Sequence, residues 1–576
     1  MDILHNHIGF TSNEVKRVVL QYASKEEQQQ FQSAEIGIFE YPGDKKVLDC
    51  RKIGSGTVDN WKGRFYDWFD FSSLEKKGTY CVKVSSEGRT CSGFPFIIED
   101  YMFSSTLLSD MVFYLKGQRS SGRWDDVDKA VPFYGEREGT VDVRGGWFDA
   151  SGDYSKYLSH LSYANYLNPQ QIPLTVWSLL YLFQTLHSLP RHKDTLLTER
   201  ALEEALWGAD FLMRMQDEEG YFYMTVFDKW SKKSEKRMIC AFKTQKGHRL
   251  EEYQAGFRQG GGMAVASLAY ASMAAPEMNV PSDFSADQYL SAAVKGYAHL
   301  LEHNREYLDN GRENLIDYYC ALMAANNLYK ATKDRFYLEE GAKWTALIRE
   351  LYSDDQRSFL VEKGNDRPYF HASDTGLLFI ALMEYYQAAQ EADSSLYEFI
   401  VEAFKDLLDR ADRVTNPFTL SRQRVKPVGQ PSCDSFFIPH ENETGYWWQG
   451  ENARLASEAA ASLAMARLLG RKGANKDLIG KLEIFGQSQI HWIFGCNPYN
   501  MCMIQGHGRN NPRYEKHYPN APGGICNGIT AGYLDETDIA YLPEEVEGQG
   551  DHRWRWSEQW IPHASWMMVA MCNLII

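Results

Sequence analysis

Two aspartates, Asp149 and Asp153, stand four residues apart in the stretch Arg144-Gly145-Gly146-Trp147-Phe148-Asp149-Ala150-Ser151-Gly152-Asp153-Tyr154-Ser155-Lys156-Tyr157. Carboxylates at this spacing in a glycine-containing turn can converge on one point. A water held there is positioned to attack an electrophilic carbon, such as that of a sugar. Bulky rings nearby are what a sugar-binding cleft stacks against pyranose faces. A plainer role for Asp153, as the cap of a following helix, fits the local sequence equally well. A calcium loop fits less well: an EF-hand counted from Asp149 requires a bidentate Glu at its twelfth position, and His160 stands there.

What positions such a pair must be read from the rest of the chain. At 576 residues it exceeds what one hydrophobic core usually organises, so two domains, or a small module on a large one, are expected. A formal net charge of -16 repels nucleic acid and anionic membrane surfaces, so neither is an expected partner. Aromatic content of 14%, with rings in polar settings such as Tyr446-Trp447-Trp448-Gln449, leans towards carbohydrate. The 10 cysteines form no C-x-x-C pair and no framework spacing, so reduced thiols are expected rather than zinc or disulfides. The first residues show no basic segment followed by an apolar one, and no apolar run approaches the roughly 18 to 20 residues that span a bilayer. A cytoplasmic protein is the expectation.

Residues 1–98 carry short alternating runs broken by turn residues, at 16–20, 35–39, 78–84 and 94–98, which predict a small β-sandwich. This part offers no paired acids or His/Cys cluster and reads as support, with a carbohydrate-binding module as the functional alternative. From about residue 107 apolar residues recur every three or four positions. Helices are predicted over 174–187, 199–215, 262–274, 287–302, 314–332, 336–352, 374–390, 396–411, 451–469, 478–494 and 562–574. About a dozen helices without a parallel-strand pattern leave a solenoid or a closed barrel of helical hairpins. The absence of a fixed-period repeat favours the barrel, with its functional loops at one end. Gln259-Gly260-Gly261-Gly262 reads as a helix-start turn rather than a phosphate loop, since no strand leads into it and no Lys-Ser/Thr follows. The loops at 416–424, 437–450 and 497–551 are longer than typical connections, and sites are usually built on such loops.

The segment Gly145-Gly146-Trp147-Phe148-Asp149-Ala150-Ser151-Gly152-Asp153 resembles the Gly-Gly-Trp/Tyr-x-Asp-Ala-Gly-Asp signature of the family 9 glycoside hydrolases, with one residue inserted between the acids. Asn6-His7-Ile8-Gly9-Phe10, Asp70-Phe71-Ser72-Ser73, Gly78-Thr79-Tyr80 and Phe94-Pro95-Phe96 are similar to the immunoglobulin-like module that precedes many of their catalytic domains. Phe494-Gly495-Cys496-Asn497-Pro498 with Gly506-His507-Gly508, and Trp556-Ser557-Glu558-Gln559-Trp560, are similar to the family's later motifs in the right order. The resemblance implies an immunoglobulin-like β-sandwich over 1–100 and an all-α (α/α)6 barrel over 101–576. It also implies hydrolysis of a β-glycosidic bond with inversion. Asp153 would then be the general base, Asp149 would help hold the water, and Glu558 would be the general acid. An inverting pair needs its carboxyl groups roughly 6.5 to 9.5 Å apart, one on each side of the sugar. Residues 405 positions apart meet that way only if the barrel joins its first and last loops.

The chain also departs from the family pattern. Where family 9 endoglucanases carry His-His-Arg, the counterpart is Glu515-Lys516-His517-Tyr518-Pro519, which keeps one His as a candidate sugar contact. These changes resemble a bacterial subgroup of exo-β-D-glucosaminidases acting on chitosan oligosaccharides. A glucosaminide carries an ammonium at C2, so Glu451 is the candidate reader of that amine, and Trp447 or Trp448 the candidate stacking ring. The alternatives are an endo-β-1,4-glucanase or cellodextrinase with the same acids, and a catalytically silent glycan-binding protein. No cofactor is expected. A structural calcium on acids such as Glu441 and Glu443 stays open, as does the oligomeric state.

Overall fold

The computed structural model describes residues 1–576 apart from 87, 101–105, 161–164, 245, 392, 446–448, 551 and 576. The N-terminal part is a sandwich of two sheets. One has the strand order Asp2–Leu4, Arg17–Tyr22, Phe65–Asp70, Arg51–Gly56. The other runs Gly9–Thr11, Phe96–Glu99, Gly78–Ser86, Glu35–Glu40, Lys46–Asp49, with Arg89–Ser92 also paired to Gly78–Ser86. Pairing is antiparallel except between Phe96–Glu99 and Gly9–Thr11. Alternation explains the buried face: Phe96 and Ile98 point inward while Ile97 and Glu99 face out. Together with Phe10, Val18, Leu20, Ile38, Val82 and Val84 they form the core between the sheets.

The remainder is a closed ring of six inner helices, Ile172–Ser188, Gly262–Ala274, Leu315–Thr332, Thr375–Ala388, Asn452–Arg471 and Ile561–Ile575. Each packs on the next, and the last packs on the first. These helices are buried on nearly every side, mostly by small and apolar residues, and where the helix Asn452–Arg471 buries charge, Arg454 and Glu458 pair with each other. Outer helices such as Arg335–Glu350 and Ser394–Asp412 are amphipathic and bury one face. The result is the (α/α)6 barrel behind a β-sandwich that the sequence predicts.

The differences are local. Thr106–Gly117, which packs on the last inner helix, escapes the periodicity reading, as do the short strands Asp2–Leu4, Gly9–Thr11 and Lys46–Asp49. The helix expected to reach residue 352 stops at Glu350, because Tyr352–Ser353 turns into a hairpin with Ser358–Phe359. Gln259-Gly260-Gly261-Gly262 is a wide helical turn leading into Gly262–Ala274. Gly260 has φ of 103°, and a Cβ there would stand 2.5 Å from Leu158, so only glycine allows the close approach of these two segments. Among the described residues no helix is long and apolar enough to cross a membrane.

The sandwich docks on the barrel through its first residues. His7 donates its N–H to the Phe494 carbonyl (2.9 Å), and its Nε2 lies 2.8 Å from Asn500 Oδ1. Glu14 pairs with His491 on the helix Lys476–Ile493.

Candidate active site

The loop before the first inner helix and the loop before the last meet as a short ladder. Ala150 bridges Trp560, the Ser151 N–H donates to the Gln559 carbonyl (2.8 Å), and the Ile561 N–H donates to the Asp149 carbonyl (3.2 Å). The inserted residue takes part, since Ser151 Oγ accepts from the Gln559 N–H at 3.1 Å. Ring closure thus places Asp149 and Asp153 beside Glu558. A Cβ on Gly152 would stand 2.5 Å from Glu558 Oε1 and would collide with the Tyr518 ring, so glycine at 152 lets the two halves close.

Each acid is held differently. Asp149, 4% exposed, accepts from Trp560 Nε1 (3.0 Å) at one oxygen, and its other oxygen lies 3.4 Å from His160 Nδ1. Asp153, 7% exposed, accepts from the Ser155 N–H (2.8 Å) and from the Tyr157 hydroxyl (2.6 Å). Trp230 Nε1 donates to that hydroxyl (3.1 Å), and the Tyr157 ring stacks on His160. Burial raises the Asp153 pKa to about 6, with Asp149 and Asp228 adding to the rise and the Tyr157 and Ser155 donors opposing it. Glu558 keeps a partly exposed edge, and its carboxyl is pushed well above the usual range by burial first and then by Asp153 and Asp149. Lys232 and the Gly152 N–H oppose that rise. The two acids thus sit in different settings: Asp153 has two donors that favour its ionised form, whereas burial and the adjacent carboxylates favour the protonated form of Glu558.

The surrounding framework is polar and buried. Lys156 Nζ donates to the carbonyls of Val143 (2.6 Å) and Gly145 (2.9 Å) and pairs with Asp128 (2.7 Å), which also takes the Arg237 guanidinium. Ser155 Oγ donates to Asp228 (2.8 Å). On the other side the Asn527 N–H donates to the Glu558 carbonyl (2.8 Å), and Asn527 Oδ1 lies 2.8 Å from His563 Nε2. The loop after Asp228 has positive φ at three non-glycine residues, Lys229, Trp230 and Lys232, a backbone strain that clusters at functional sites. It delivers Trp230 to Tyr157, and Lys232 Nζ to the His517 carbonyl (3.1 Å) between the rings of Tyr154 and Tyr518.

The structure brings together Asp149, Asp153 and Glu558 as the sequence predicts. His517 is exposed on the same loop as Tyr518, and its carbonyl is the group that binds Lys232. Trp447 and Trp448 lie outside the described residues. The expectation for Glu451 is corrected. The residue is buried, one oxygen accepts from the Ile438 N–H (2.7 Å), and the other pairs with Arg454 (2.5 Å) and accepts from Gln423 (3.3 Å), so neither oxygen is offered to a ligand amine. Of the acids considered for calcium, Glu443 pairs with Arg367. Among the described residues no group of three or more His, Cys, Asp or Glu side chains is placed to hold a metal ion. Sequence reasoning missed Tyr157, Trp230, Lys232 and Tyr518. Tyr157, four residues beyond Asp153, and Tyr518, beside His517, stand in segments the sequence singles out; Trp230 and Lys232 do not.

Two family profiles match the chain: "Glycosyl hydrolase family 9" over residues 105–524, and "Cellulase N-terminal ig-like domain" over residues 1–89. Glu558 lies beyond the matched span. A cellodextrinase of Butyrivibrio fibrisolvens is 26% identical, covering 93% of this chain and 91% of the relative. Endoglucanase 15 of Arabidopsis thaliana is 23% identical, covering 77% of this chain and 88% of the relative. Among solved structures, a metagenome-derived glycoside hydrolase family 9 endoglucanase superposes with a TM-score of 0.66 at 17% identity, covering 100% of this chain and 99% of that one. The family profile spans most of the barrel and the sandwich has its own match, so the chain belongs to glycosyl hydrolase family 9, a family of inverting O-glycosyl hydrolases.

Proposed function

We propose that the protein hydrolyses short β-linked glucooligosaccharides in the manner of a cellodextrinase. The observation that carries this reading is the meeting of Asp149, Asp153 and Glu558 across the ring closure, where burial and the neighbouring carboxylates push the Glu558 carboxyl well above the usual range while two donors hold Asp153. Similarity to a cellodextrinase over nearly the whole chain supports the choice of substrate. Asp153 takes a proton from a water that Asp149 helps to hold. The water oxygen bonds to the anomeric carbon from one face while the glycosidic C–O bond breaks on the other, and Glu558 delivers its proton to the departing oxygen. Tyr518, against Gly152 and Glu558, forms a wall of the site.

An exo-acting glucosaminidase is the second reading. It rests on the carboxylates gathered at the reacting position, where Asp149 and Asp228 act on Asp153, a negative field that attracts an ammonium-bearing sugar. The test is to incubate the protein separately with cellobiose, cellotriose, soluble cellulose, chitobiose and its deacetylated dimer, then resolve the products and the anomer first formed. Release of glucose or cellobiose of inverted configuration from the short glucosides supports the first reading. Turnover of the deacetylated dimer alone replaces it with the second, and no turnover of any substrate overturns both.

A further inference from the structure

On the flank of the barrel a cavity of about 40 Å³ opens between the hairpin at 352–359, the helix Ser394–Asp412 and the strand Gln423–Val425. It shares no residue with the three acids. Its lining includes Arg410, Arg422 and Arg424; the Nε of Arg422 and of Arg424 has no hydrogen-bond partner although it is out of contact with solvent, and that of Arg410 has only the Asp434 carboxylate at 3.3 Å. Ser358 Oγ is buried at the same cavity and likewise has no hydrogen-bond partner.

The charge around it is unbalanced. The single carboxylate of Asp434 serves three guanidiniums, those of Arg410 (3.3 Å), Arg413 (3.2 Å) and Arg424 (3.3 Å). Arg422 donates to the main-chain oxygens of Arg410 (3.1 Å) and Asp434 (2.9 Å) and has no ion pair among the described residues. Neighbouring carboxylates are already engaged: Asp406 and Asp409 pair with Arg357, and Glu451 and Glu458 with Arg454. Burial lowers the pKa of Arg410 and of Arg422 in spite of Asp434, which is the signature of cations short of counter-charge. Buried charges require pairing, and an orphaned guanidinium N–H carries a large desolvation cost.

We propose that this cavity is a binding site for a small inorganic oxyanion. The volume accommodates roughly three waters, or one such anion in their place. Guanidinium N–H groups and a hydroxyl converging on one space are the donor set that oxyanions select. Glu458 also lines the cavity, with its Oε1 lacking a hydrogen-bond partner, so an anion that still carries a hydroxyl matches the site better than a halide. Hydrogen phosphate and hydrogen carbonate share that chemistry.

The test is calorimetric titration of the whole purified protein with phosphate, hydrogen carbonate or chloride at constant ionic strength, with thermal melting in the same buffers. Saturable one-site binding of phosphate or hydrogen carbonate is expected, with a rise in melting temperature that chloride does not reproduce. The more strongly bound of the two identifies the anion. Arg422→Gln should weaken binding roughly tenfold or more, as loss of a charge-assisted bond does. Ser358→Ala, which removes one hydroxyl and keeps every ion pair, should weaken it by a smaller factor, and it decides the matter if the arginine variant does not fold. Absence of saturable binding by either oxyanion, equal effects of all three salts, or unchanged affinity in Ser358→Ala would overturn the proposal.

Discussion

Ser151 and Gln559 are bonded to each other twice, main chain to main chain at 2.8 Å and hydroxyl to main chain at 3.1 Å, across 408 positions of sequence. The residue that lengthens the interval between the two aspartates is thus the one that fastens their loop to the segment carrying Glu558. Ser151→Ala keeps one bond and loses the other. It should lower kcat several-fold while KM changes little, because the acids lose alignment rather than the sugar its contacts. The cost in stability should be about 1 kcal/mol. Steady-state kinetics and urea denaturation of the same preparation check both.

Asp153→Asn and Glu558→Gln remove the two groups proposed to transfer protons and keep the shape of the site. Each should reduce turnover by roughly 10²- to 10⁴-fold. Oligosaccharide binding, followed calorimetrically, should persist in both variants, and loss of binding alongside turnover would assign them a structural part instead.

Activity should rise with pH as Asp153 ionises, with the acid limb near its pKa of about 6. The Tyr157 hydroxyl donates to the ionised form and so opposes the rise in that pKa. In Tyr157→Phe the carboxyl should hold its proton to higher pH, and the acid limb of the kcat/KM profile should move upward. An unmoved limb would show that this hydroxyl does not tune the base.

Glu451→Gln should leave the ranking of glucosides and glucosaminides unchanged, since its oxygens already serve Arg454, Gln423 and the Ile438 N–H. It should instead destabilise the barrel by roughly 1–3 kcal/mol, because Arg454 keeps only Glu458 as a charged partner. Competition kinetics with paired substrates and a denaturation curve separate the two effects.

Much of this architecture is written in local chemistry. The apolar spacing of 315–332 or 452–471 reads directly as helix, and the alternation in 78–86 as strand. Asp149, Asp153 and Glu558 are legible because their neighbours form recognisable motifs. Trp230, Lys232 and Tyr518 were not, because they reach the site through a loop with three residues at positive φ and through a carbonyl of another loop, neither of which leaves a periodicity. Glu451 misled for a related reason. An acid beside aromatic residues looks available until its buried arginine, three positions on, is placed against it.

The packing of Ile561–Ile575 on Ile172–Ser188 also ties the site to ring closure. Neighbouring hairpins of the ring can form from contacts close in sequence, whereas this last seam joins segments almost 400 residues apart and carries the largest entropic cost of closure within the ring. Because Glu558 meets Asp149 and Asp153 only across that seam, the site requires the ring to be closed. A chain with most of its helices assembled and its ring still open is a nearly complete protein with half an active site.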